Sequence, residues 1–127
     1  MRTAAGTVAT GALYWAGFSY RTDYAGHFLA GLGATLALVA CISLIHPQPH
    51  GWLTVMALVV AVLIGAGAEF TVFRLAIFDP VDFCNQSLGA CVATAAVIGR
   101  RVSIPAALLL GTLGGAATLA GFYLAFA

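Results

Sequence analysis

Long apolar runs separated by very short polar connections organise this chain. Five stretches come close to the roughly 20 mainly apolar residues that a helix needs to cross a bilayer. They run from Thr3 to Tyr20, Tyr24 to Ile45, Trp52 to Phe78, Asp82 to Gly99 and Val102 to Ala127. Between them lie Arg21 to Asp23, His46 to Gly51, Asp79 to Val81 and Arg100 to Arg101. The runs lack the period-two alternation of a membrane strand, so the predicted fold is all-α. It is one domain over residues 1–127, a polytopic integral membrane bundle of five transmembrane helices. Asp79-Pro80 breaks the chain between the third and fourth stretches, and Pro105 falls in the first turn of the last, where its missing N–H costs little. The first stretch follows Arg2 much as a signal peptide would. Its end, from Trp15 to Tyr20, is bulky and lacks the small-x-small cleavage pattern, so it is predicted to be a helix.

Composition agrees with this division. Of 127 residues, 62% are hydrophobic and only 7% charged, which leaves no room for a soluble domain and no basic surface for a nucleic acid. All the basic side chains are arginines. With five spans, Arg2, Arg100 and Arg101 share one face with His46 and His50, whereas Arg21 and Arg74 lie on the other with Asp23, Glu69, Asp79 and Asp82. The positive-inside rule then predicts a multi-pass protein of the cytoplasmic (inner) membrane, with a cytoplasmic N-terminus and an extracytoplasmic C-terminus. Every aromatic residue except Trp52 falls on the acidic side. Bulk filling between splayed helices is the simpler explanation of that belt; a groove for a lipid, quinone or pigment, or a subunit contact, is the functional one.

Association in lipid rests on close packing and interhelical hydrogen bonds. Gly26-xxx-Ala30 and Gly33-xxx-Ala37 in the second stretch, Ala61-xxx-Gly65 in the third and Ala107-xxx-Gly111-xxx-Gly115 in the fifth offer small faces for it. Cys41, Cys84 and Cys91 make no framework. Cys84 and Cys91 are about 10 Å apart along one helix, beyond disulfide reach. With no CxxC or metal-type spacing, all three are expected to be small packing residues.

The polar residues form one constellation. Asp23 and His27 share a helical face, being four apart. Glu69 lies about 26 Å along its helix from Trp52, close to the same interface. Asp82, Asn85, Gln86 and Gly89 make a stripe down the first turns of the fourth helix. His27, Glu69, Asn85 and Gln86 are therefore expected at one depth on three helices, with Arg21 and Arg74 as candidate counter-ions. Asp79 and Asp82 are placed to cap a helix start. A buried ionisable group in a membrane is costly and turns toward a partner inside the protein. The cluster is readable as a polar lock between helices, as a ligand site, or as an active site. For the last, no nucleophile elbow, HExxH, phosphate loop or CxxC is present, so no reaction and no catalytic residue are assigned. No metal site is assigned either. His46 and His50, in His-Pro-Gln-Pro-His, belong to a stiff connection.

The order of an Asp-x-x-x-His at a helix start, an intramembrane Glu, an Arg, then Phe78-Asp79-Pro80-Val81-Asp82 and Gln86-x-x-Gly89-Ala90 resembles the VanZ-like membrane protein family. The match runs from Asp23 to Gly89. His27, Glu69, Arg74, Asp82 and Gly89 fit the pattern, whereas Val72 stands at an expected Gln and Gln86 at an expected Asn. The resemblance implies a small helical bundle with a cell-envelope role, in a family associated with low-level resistance to a lipoglycopeptide antibiotic. Two readings follow. In the first, His27, Glu69, Arg74, Asp82, Asn85 and Gln86 bind the head group of a lipid or lipidated ligand, and no cofactor is involved. In the second, the chain is an accessory structural subunit of a respiratory or photosynthetic membrane complex. There the aromatic flank docks other membrane subunits, and a pigment or quinone is the candidate cofactor. Membrane lipids are partners under both.

Overall fold

A computed structural model describes residues 22–46, 51–71 and 79–126 of the chain. All regular structure among them is helical: α1 (Thr22–Ile45), α2 (Gly51–Thr71), α3 (Pro80–Val97) and α4 (Ile104–Phe126). The boundaries follow local chemistry. Asp79, in extended conformation, accepts a hydrogen bond at Oδ1 from the Val81 N–H (2.8 Å), and Pro80 opens α3 where no N–H is required. α3 stops at Gly99, whose φ of +70° reverses the chain at little cost to a residue without a Cβ. Ser103 then caps α4 through Oγ, which accepts from Ala106 N–H at 3.4 Å.

Three of these helices, over Asp23–Ile45, Gly51–Ala68 and Ile104–Ala125, are long and apolar enough to cross a membrane. This is a helical membrane protein. α3 has 18 residues, about 27 Å at 1.5 Å per residue, and is not one of the three. Asp82, Asn85, Gln86 and Ser87 crowd its first two turns and dilute its apolar character. The expectation of five spans is thus met for three of them. The stretch from Thr3 to Tyr20 lies outside the described residues, as does the continuation of the third to Phe78.

α1 is the central helix. Within its apolar window 39% of residues are buried, against 22% for α2 and 17% for α4. It packs on all three neighbours, whereas α4 approaches neither α2 nor α3. α1 and α4 are antiparallel and nearly in backbone contact. A Cβ added to Gly33 would lie 2.5 Å from the Gly114 carbonyl oxygen and the Thr118 nitrogen, and one on Gly121 would lie 2.5 Å from Ala30 N. The α4 side of this seam is Gly114, Thr118, Gly121 and Ala125. Of the face expected from Ala107, Gly111 and Gly115, Ala107 is fully buried and a Cβ on Gly111 would lie 3.4 Å from the Ala40 methyl, whereas one on Gly115 would meet nothing within 4 Å, which corrects that position.

α1 and α3 run in the same direction, since Phe28 packs beside Gly89 and, further along both, Val39 joins Val97 in an apolar cluster with Ala57 of α2. Threonine hydroxyls in these helices are satisfied locally. Thr35, Thr94 and Thr118 each donate to the carbonyl four residues back, at 2.8–2.9 Å, which removes an unpaired polar group from an apolar setting. The three cysteines are a second correction. Cys41, Cys84 and Cys91 are free and exposed on the bundle surface rather than packed within it. A lipid-facing surface is as apolar as a core, so a small thiol fits either.

Candidate functional site

The polar stripe of α3 meets α1 because two glycines remove the obstacles. Any Cβ on Gly89 would collide with the Phe28 carbonyl, and any Cβ on Gly31 with the Gln86 backbone. Drawn together in this way, α1 and α3 bring His27 Nε2 to 3.4 Å from Asp82 Oδ2, with the His27 side chain 7% exposed and that of Asp82 16%. A histidine–carboxylate contact this buried offsets part of the desolvation cost of bringing both groups into the bundle. Asp82, expected as a possible helix cap, is engaged with His27, and Asp79 supplies the cap.

Gln86 lies where three helices meet. Its Nε2 donates to the Ala61 carbonyl of α2 at 3.4 Å, and Gly65 leaves the space that the amide fills. Asn85, one turn on from Asp82, is buried at 6% exposure, and its Nδ2 makes no hydrogen bond. A buried donor left unmade costs about 1–3 kcal/mol, and Ser43 Oγ and Ser87 Oγ are buried without a hydrogen bond as well.

Beside the pair lies a cavity of about 80 Å³, several times the 10–15 Å³ that admits one water. It sits between α2 and α4, which do not approach each other, with α1 as its floor. Small residues create it: Ala30 and Ala34 of α1, Gly65 and Ala68 of α2, Gly121 and Ala125 of α4. Ile64 and Phe122 complete its apolar wall, and His27, Gln86 and Thr118 are its polar members.

Of the residues expected at the site, the structure gathers His27, Asp82, Asn85 and Gln86. Glu69 occupies the last turns of α2, just after cavity-lining Ala68. Its side chain, and Arg21 and Arg74 altogether, lie outside the described residues. Thr118 and the alanines of the cavity wall were not anticipated. Four-residue spacing of small side chains was the available signal, and it reads equally well as packing. Among the described residues no three His, Cys, Asp or Glu side chains lie together as a metal site. No protein-family model matches the chain, and neither a curated protein nor a solved structure matches it.

Proposed function

We propose that this protein is a small multi-pass membrane protein of the cell envelope that holds an amphiphile, the ligand's head against His27, Asp82, Asn85 and Gln86 and its chain in the cavity between α2 and α4. One observation carries the reading. Buried His27, which meets Asp82, and buried Gln86, whose amide bridges α3 to α2, line an apolar space between two helices that leave a gap. A polar lock alone accounts for the hydrogen bond of Gln86 to Ala61. It does not account for the cavity. Pockets that take small ligands combine apolar walls with a few placed polar groups in this manner.

The VanZ-like resemblance, through His27, Glu69, Arg74, Asp82 and Gly89, supports an envelope role. In this reading Thr3 to Tyr20 adds a further span and α3 crosses with the others. The bundle then has five helices in the inner membrane, the N-terminus in the cytoplasm and the polar site near the outer surface. Enrichment by mass spectrometry tests it. Wild-type protein purified in native lipid should retain an amphiphile that the cavity-filling variant Ala68→Leu loses, and identical lipid profiles for the two would overturn the reading.

The second reading, an accessory subunit, draws on Phe70 and Tyr123, which are 68% and 75% exposed near the same end of the bundle. It predicts a stoichiometric partner subunit after gentle-detergent purification, and a solitary protein would end it.

A further inference from the structure

The walls of the cavity are held in place from both sides. Ala30, Thr118, Gly121 and Ala125 line it and also build the α1–α4 seam, where a Cβ on Gly121 would lie 2.5 Å from Ala30 N. On the α2 side, the Gln86 amide fills the hollow at Gly65 and donates to the Ala61 carbonyl. Backbone packed this closely yields little to a larger guest, so the size of the space decides what enters.

That space is small. A cavity of about 150 Å³ takes one benzene ring. By the same scale the 80 Å³ here encloses about three carbon atoms. His27 and Gln86 stand at it and are buried, whereas Ile64 and Phe122 line it and are exposed. Side chains that both line a cavity and face outward mark where it opens to the surrounding lipid. A ligand whose head meets His27 and Gln86 therefore has its first few carbons enclosed, and the rest of its chain runs out past Ile64 and Phe122.

Amphiphile classes differ at those first carbons. A straight alkyl chain is slim there, a polyprenyl chain carries a methyl branch in its first isoprene unit, and a diacylglycerol carries a second chain. A single carbon too many or too few in an apolar pocket changes selection by about 10–200-fold. We infer that the site selects by chain cross-section: it takes a single, unbranched alkyl chain and turns away polyprenyl and two-chain lipids bearing the same head. This rests on the amphiphile-holding reading above and specifies the ligand's chain.

The test uses the full chain in phosphatidylcholine nanodiscs, with retained lipid counted by mass spectrometry against empty nanodiscs. Oleyl alcohol, geranylgeraniol and dioleoylglycerol are offered together as a series with a hydroxyl head. Oleyl phosphate, geranylgeranyl phosphate and dioleoyl phosphatidate form a second series with a phosphate head. Within whichever series binds, the oleyl compound should be retained at least about tenfold over the other two. Ala68→Leu should remove retention, whereas Ile64→Ala, which trims the exposed rim, should bring geranylgeranyl retention to within about threefold of oleyl. If a branched or two-chain probe is retained as well as its oleyl counterpart, or Ile64→Ala leaves the selection unchanged, while Ala68→Leu abolishes retention, the cross-section inference falls and the cavity still binds amphiphiles. If neither series is retained, or Ala68→Leu changes nothing, the inference falls together with the reading beneath it.

Discussion

The two faces of α1 are joined to their neighbours by opposite means. Toward α4 the seam is backbone against backbone, built from Gly26, Ala30, Gly33 and Ala37 on one side and Gly114, Thr118, Gly121 and Ala125 on the other. Thr118, the polar side chain among these eight, is satisfied within its own helix. Toward α3 the seam holds His27 and Asp82, which meet across it, with Asn85 buried beside them and Gln86 packed on Gly31 while its amide reaches on to Ala61 of α2. Lipid offers no hydrophobic expulsion to press helices together, so contact must come from dispersion at close range or from polar pairs. The α4 seam uses the first and gains rigidity. The α3 seam uses the second.

The largest effect should come from wedging the close seam apart. Gly33→Leu places a side chain where a single Cβ already lies 2.5 Å from two α4 backbone atoms, and backbone cannot rotate out of the way. Overpacking of this kind costs about 1–3 kcal/mol and often more. The variant should lose its monodisperse peak in size-exclusion chromatography in mild detergent. Gly115→Ala, next to the seam but facing open space, should leave unfolding unchanged or raise stability by up to about 1 kcal/mol through helix propensity. Equal tolerance of both changes would refute the difference between the two faces.

That contrast also marks how far the sequence could be read. Four stretches gave helices whose described ends agree within about two residues wherever the chain supplied chemical punctuation: Asp79-Pro80 before α3, Gly99 after it, Pro105 inside α4. The polar stripe of α3 was legible for the same reason, since Asp82, Asn85 and Gln86 stand out against apolar neighbours and helical spacing sets their face. The face of α4 was legible only at its start, through Ala107 and Gly111, and not further along. Gly111, Gly114 and Gly115 are equally small, and a helix apolar all round carries no amphipathic signal to say which side meets protein. The cysteines failed similarly, because in a bilayer a small apolar residue is at home on either side. Nor could spacing reveal the cavity. It arises where α2 and α4 stay apart across α1, a property of three-dimensional arrangement that no single helix encodes.

A smaller effect is expected at the ion pair. Asp82→Asn and His27→Gln should each cost about 1–2 kcal/mol in a detergent unfolding titration, because each leaves its former partner with a buried polar group less well paired. Interhelical polar couplings in membrane proteins average about 0.6 kcal/mol and reach about 1.7. The double variant should therefore cost less than the sum of the singles by an amount in that range. Strict additivity would mean that the 3.4 Å approach contributes nothing, and the α3 seam would then have to be held by packing.

The smallest change in stability is expected at Asn85, and it separates a lock from a binding site. If Asn85 served to hold the helices together, replacing it would weaken the bundle by the worth of the bonds it makes. Its Nδ2 makes none. Asn85→Leu removes a donor whose burial is itself unfavourable and substitutes a side chain of similar size, so the unfolding midpoint should stay constant or rise slightly, by no more than about 1 kcal/mol. Under the proposed reading, retention of the co-purifying amphiphile should nonetheless fall, because Asn85 is one of the side chains proposed to meet the ligand's head. A residue that the fold can lose without harm, but the ligand cannot, belongs to function. A drop in stability with lipid retention intact would reverse that assignment and return Asn85 to the architecture of the bundle.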